Sequence, residues 1–86
     1  MNRRKLLKKL AGGSFGNVSF SDARRLVESF GFRHARTSGS HHIFVHPAVP
    51  QPINLQEVAG EAKPYQLRQL IRLVERYNLK LEGDEE

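Results

Sequence analysis

The apolar residues of this chain change their period twice, and those changes restrict what it can fold into. Ala23, Leu26, Val27 and Phe30 recur at i, i+3, i+4 and i+7, the spacing of one buried helix face. Phe32 to Thr37 and Ser40 to His46 then read as two strands flanking Ser38-Gly39, a two-residue hairpin turn. Pro47, Pro50 and Pro52 break pairing and predict a longer loop, after which Ile53-Asn54-Leu55-Gln56 alternates as a third strand. From Pro64 the helical period returns, with Leu67, Leu70, Ile71, Val74 and Tyr77 on one stripe that runs to about Leu79. A chain that passes from helix to hairpin to helix builds an α+β domain, a small antiparallel sheet covered by helices.

Local punctuation agrees with that reading. Ser19-Phe20-Ser21-Asp22 has capping-box spacing, with Asp in place of the usual Glu or Gln. Gly31 suits the left-handed position after a helix, with Phe32 closing over it, and Pro64 suits the first helical position. Ahead of this, Asn2 to Ala11 predicts a short helix capped by Asn2, with Leu6, Leu7 and Leu10 on one side and Arg3, Arg4, Lys5, Lys8 and Lys9 on the rest. Gly12-Gly13 ends it, and residues 12–17 read as a linker. Three segments follow: a basic N-terminal extension at 1–17, a domain at 18–81, and an acidic tail at 82–86 expected to be disordered. A chain of 86 residues has room for one small domain with a thin core.

Composition narrows the function. The absence of cysteine excludes a disulfide framework, thiolate metal ligands and a Cys nucleophile. No run approaches the ~20 apolar residues of a membrane span, and the basic start lacks the apolar stretch of a signal peptide, so the expected location is the cytoplasm with no membrane partner. Lys and Arg number 14 against 9 Asp and Glu, and four of the acids lie in the last five residues. Such a surplus points to a polyanion, nucleic acid first.

Four histidines, His34, His41, His42 and His46, fall within 13 residues. His41 and His42 are strand neighbours that point to opposite faces, and His42 and His46 lie ~13 Å apart along one face. Neither pair closes a metal shell with Zn–N near ~2.0–2.1 Å, so no metal and no other cofactor is expected. With Ser38-Gly39 as the turn, Arg36 faces His41 directly and His34 is its diagonal neighbour at ~7–8 Å. An imidazole beside a cation and near a second imidazole suits phosphodiester cleavage, the imidazole moving a proton while the cation holds phosphate. The strand pattern groups His41 with Ile43 and Val45, and His42 with Phe44 and His46, without saying which face is buried.

Other cations extend the candidate surface. Arg68, Arg72 and Arg76 sit at i, i+4, i+8 on the last helix, where like charges cost ~0.2–0.5 kcal/mol per pair unless an anion lies near. Lys63 stands just before that helix, where it adds to an anion site, and Tyr65 can stack on a base.

Residues 20–32 (FSDARRLVESFGF), then Thr37 to Pro47 (TSGSHHIFVHP), then a basic helix, resemble the HicA toxin family. Ile53 to Gln56 and Ala62 to Leu70 (AKPYQLRQL) are similar to one subgroup's C-terminal half, and the resemblance covers about residues 18–80. It implies a fold like a double-stranded RNA-binding domain: a three-stranded antiparallel sheet with helices packed on one face, plus here a short N-terminal helix. It implies ribosome-independent mRNA cleavage without a metal, and a HicB-like antitoxin partner. The family's catalytic histidine follows Gly-Ser, which maps to His41. His34 and Arg36 are then candidates for catalytic support, and Gly39, Ser40, Lys63, Tyr65, Arg68, Arg72 and Arg76 for RNA contact. The chain departs from many members in carrying Ile53 to Gln56 where they have a Pro-Arg-His-like stretch. A non-catalytic RNA-binding module of the same fold, or a protein-interaction domain with a basic face, are the alternatives.

Overall fold

The structure, a computed structural model, describes residues 2–82. Of the acidic tail expected to be disordered, residues 83–86 lie outside the described residues. The order is α1 (Arg3–Ala11), α2 (Phe20–Ser29), β1 (Arg33–Ser38), β2 (His41–His46), β3 (Val49–Val58), β4 (Glu61–Ala62) and α3 (Pro64–Arg76). The strands form one antiparallel sheet in the order β1-β2-β3-β4. The α+β class stands, with four strands rather than three. The fourth is the two-residue β4, too short to show a period in the sequence.

The helix boundaries follow from their caps. Asn2 Oδ1 accepts from the backbone N–H of Arg4 and Lys5, and Ser19 Oγ accepts from that of Asp22 at 3.1 Å. Gly31, at φ +94°, leaves α2 through the left-handed region. An added Cβ there would meet only side-chain ends, Glu82 Oε2 at 2.9 Å and His46 Nε2 at 3.0 Å, so it is the backbone angle that calls for glycine. α3 ends at Arg76 rather than near Leu79, because Asn78 adopts φ +52°.

One core joins the layers. Phe44, Ile53 and Leu55 point from the sheet toward Ala23, Leu26 and Val27 of α2 and Leu67, Leu70 and Ile71 of α3. α1 packs on α2 and α3, and its Leu6 and Leu10 are each 1% exposed, so this basic segment is docked into the core that the other helices share. Residues 18–20 are stitched to the β3–β4 hairpin by Phe20 N–H donating to the Gly60 carbonyl and Ala62 N–H to that of Val18. The opposite sheet face carries only exposed and half-buried residues, among them Arg36, His41, Ile43, Val45, Asn54 and Gln56.

The long proline loop expected after Pro47 is corrected to a two-residue turn, Pro47-Ala48. His46 pairs with Val49 and Phe44 with Ile53, which leaves Pro50-Gln51-Pro52 opposite Val45 alone. The prolines occupy a bulge, and β4 pairs only with Glu57 and Val58, so the missing N–H groups take no ladder bond away. A further staple is Gln66, 2% exposed, whose Oε1 accepts from the Gln56 backbone N–H at 2.6 Å. That N–H lies where β4 has already ended, and Gln66 saves it from being buried unpaired.

Candidate functional site

The β1–β2 hairpin turns at Gly39-Ser40, one residue later than the expected Ser38-Gly39. Gly39 takes φ +60° at the first central position of the turn, which glycine adopts without strain. Ser38 therefore pairs with His41, Thr37 with His42 and Arg36 with Ile43. A bulge at Ala35 then shifts the register, so that His34 pairs with Phe44.

These two shifts rearrange the expected histidine site. Arg36 is not opposite His41. It lies on the same open face as a diagonal neighbour, a separation that a long side chain spans. His34, expected beside His41, is on the other face. The bulge turns it toward Phe44, with ring centroids 5.3 Å apart. His42 is also on the helix side, with its ring 4.7 Å from that of Phe20. His46 sits at the far end of β2, where its Nδ1 accepts from the Ala48 N–H and its ring meets Phe32 edge-on at 5.0 Å.

His41 is the imidazole of the open face. Its Nδ1 lies 3.0 Å from Asn54 Nδ2 and 3.3 Å from Asn54 Oδ1, across the β2–β3 pairing. The amide thus offers Nδ1 both a donor and an acceptor. When Nδ2–H donates to Nδ1, Nε2 carries the ring proton; when Nδ1–H donates to Oδ1, a neutral ring has its lone pair on Nε2. Both states of a proton transfer at Nε2, the neutral ring with its lone pair there and the imidazolium, carry a proton on Nδ1, which Asn54 Oδ1 accepts. Nothing in the sequence marks Asn54 for this role, since a polar residue in an alternating strand acquires a partner only once the register is known.

Around His41 the structure gathers part of the expected RNA-contact set. Gly39 and Ser40 form the hairpin tip beside it, and the Ser40 carbonyl accepts from Glu57 N–H. Gln56 is His41's partner on β3 and is tied to Gln66, so the start of α3, with Lys63 and Tyr65, lies at the same end of the sheet. Tyr65 is 60% exposed and therefore does not cap the core, and Lys63 Nζ lies 5.9 Å from its ring centroid. Arg68, Arg72 and Arg76 are exposed along α3, which packs on the inner face of the sheet. The sheet stands between these arginines and His41. Arg68 stacks over Phe15 at 5.2 Å and Arg76 over Tyr77 at 5.6 Å. Among the described residues no group of three His, Asp or Glu converges as a metal-ligand set, and no helix is long and apolar enough to cross a membrane.

No curated protein and no solved structure matches the chain. A family model described as the HicA toxin of bacterial toxin–antitoxin systems matches residues 20–75, from the first residue of α2 to the last turn of α3. That span is more than half of the chain and holds both His41 and Asn54, while α1 lies outside it. The chain belongs to the HicA toxin family, as the toxin of a toxin–antitoxin pair whose partner is a HicB-type antitoxin.

Proposed function

We propose that this toxin is an endoribonuclease that cleaves mRNA in the cytoplasm without the ribosome, with His41 moving the proton. The observation that carries this reading is the His41–Asn54 pair on the uncovered sheet face. His41 Nε2 takes the proton of a ribose 2′-OH as that oxygen attacks the adjacent phosphorus. The bond from phosphorus to the 5′-oxygen breaks, and the imidazolium returns its proton to the leaving oxygen. The products are a 2′,3′-cyclic phosphate and a 5′-hydroxyl. The nucleophile is part of the substrate, so no metal-activated water enters the step. Arg36, on the same face, holds the phosphate and offsets charge that builds on its oxygens. The bound antitoxin covers this face and so excludes RNA.

End-group analysis of the cleaved RNA tests the reaction. Cleavage of a defined transcript persists in excess EDTA and leaves 2′,3′-cyclic phosphate or 3′-phosphate ends. Products ending in a 3′-hydroxyl, or activity recovered only with an added divalent ion, would overturn it.

A further inference from the structure

The bulge at Ala35 does more than displace His34 from His41. In an unbroken strand residues 34 and 37 would face opposite sides. With the extra residue, both face α2. His34 Nε2 lies 2.8 Å from Thr37 Oγ1, and Thr37 Oγ1 lies 3.3 Å from His42 Nδ1. Two imidazoles are thus linked through one hydroxyl, with ring centroids 5.9 Å apart. Phe44 and Phe20 seat the two rings from the core side. The Arg24 guanidinium completes the group, 5.6 Å over the same Phe44 ring that His34 touches, with Glu28 at 3.3 Å balancing part of its charge.

The mechanism at His41 uses none of these side chains, and their chemistry is that of an anion site. Thr37 Oγ1 has one proton to donate and two lone pairs to accept with, so it serves both imidazoles at once. The other ring nitrogens, Nδ1 of His34 and Nε2 of His42, are not used in this link. A guanidinium and an imidazole gathered at one phenyl ring, with a second imidazole linked through Thr37, match phosphate oxygens better than a base edge. Both rings already lie against core phenyl groups, which leaves the site short of a free stacking surface. Bulges recur beside functional sites because they re-aim side chains, as this one does for His34.

His41 and His42 are consecutive, one on each face of the sheet, and the Gly39-Ser40 tip between the faces is exposed. We infer that His34, Thr37, His42 and Arg24 form a second phosphate-binding site, which holds the RNA backbone flanking the bond cleaved at His41 as the strand passes over the hairpin tip. This rests on the reading that His41 cleaves RNA.

The test uses short single-stranded RNAs with one uncharged methylphosphonate placed at successive positions around the cleavage site. Their binding is measured to His41→Ala protein and to the same protein carrying His34→Gln and His42→Gln. In the first, one flanking substitution weakens binding about tenfold, the size of a lost charge-assisted contact. In the second, that position-specific penalty disappears. Thr37→Val, at an exposed position, shrinks the same penalty and serves if the double histidine variant does not fold. Equal penalties in all proteins, or no position-specific penalty in any, would overturn the site. So would a His42→Gln enzyme whose kcat falls while KM holds, since that would mean chemistry rather than holding. The reading of His41 fails separately, when His41→Ala cleaves as fast as the unmodified toxin; the methylphosphonate comparison then uses RNAs with 2′-O-methyl at the cleaved position, which have no 2′-hydroxyl to attack.

Discussion

The side-chain amide of Asn54 meets Nδ1 of His41 with a donor at 3.0 Å and an acceptor at 3.3 Å. A carboxylate in that place would only accept, and would favour the imidazolium. In the proposed mechanism the ring takes up a proton at Nε2 and returns it, and the neutral amide oxygen accepts Nδ1–H in both states. His41→Ala is expected to lower cleavage by about 10²–10⁴-fold, the usual worth of one general acid–base group, with the fold intact by circular dichroism. Asn54→Ala leaves the imidazole in place and removes its support. The expected effect is a roughly tenfold loss in kcat at unchanged KM, as for one lost hydrogen bond. Equal loss in both variants would mean that Asn54 does more than orient the ring.

Arg36 and Arg72 stand on opposite sides of the sheet, which separates two roles that the sequence merges. Arg36→Ala is expected to lower kcat, since the cation is lost beside the reacting phosphate. Arg72→Ala is expected to weaken RNA binding evenly across sequences and to make the salt dependence shallower by roughly 0.7, one phosphate on a single strand. Its kcat at saturating RNA stays unchanged. Titrations at several salt concentrations with parallel turnover assays check both.

Much of this was legible in the sequence, and the misses concern how the strands pair. α2, α3 and the two hairpin strands were visible because their apolar residues keep a helical or a strand period over many positions. The pairing register was not, because it depends on which two residues turn the chain, and Ser38-Gly39 and Gly39-Ser40 are equally plausible turns by composition. That one-residue choice set Arg36 opposite His41 in the reading and diagonal to it in the molecule. The Ala35 bulge left no mark on the sequence either, and it moved His34 to the other face. Pro50 and Pro52 read as strand breakers because propensity cannot show that their side of β3 has no neighbour. His41 itself came from the family resemblance, since strand alternation alone left the buried face open.

The basic N-terminal helix supports a stability prediction. Leu10 is 1% exposed, within the core that α1 shares with α2 and α3. Leu10→Ala removes buried methyl groups and leaves a cavity, at a cost of about 2–5 kcal/mol. Small domains are stable by only about 5–15 kcal/mol, so the loss is a large share of the whole. In thermal unfolding the variant is expected to melt well below the parent, each 1 kcal/mol being worth roughly 4–8 °C at this size. Lys8→Ala, on the exposed side of the same helix, is expected to melt within a few degrees of the parent. A Leu10→Ala protein that melts with the parent would mean that α1 is not docked in solution.

The open face of β2 offers a last distinction, between the RNA and the antitoxin. Ile43 and Val45 lie on that face in line with His41, and both are half-buried. Aliphatic side chains flanking His41 add little to phosphate binding, whereas a protein partner gains from covering them, because interface energy concentrates in a few apolar contacts near the centre. Ile43→Ser is therefore expected to weaken the antitoxin complex by about tenfold or more while RNA cleavage by the free toxin changes little. The complex of unmodified antitoxin with His41→Ala toxin is expected to bind RNA far more weakly than that toxin alone, since both partners need the same face. Calorimetry on the toxin–antitoxin pair and RNA binding to the purified complex measure the two effects. A complex that binds RNA as tightly as free toxin would show that the antitoxin silences the enzyme without covering His41.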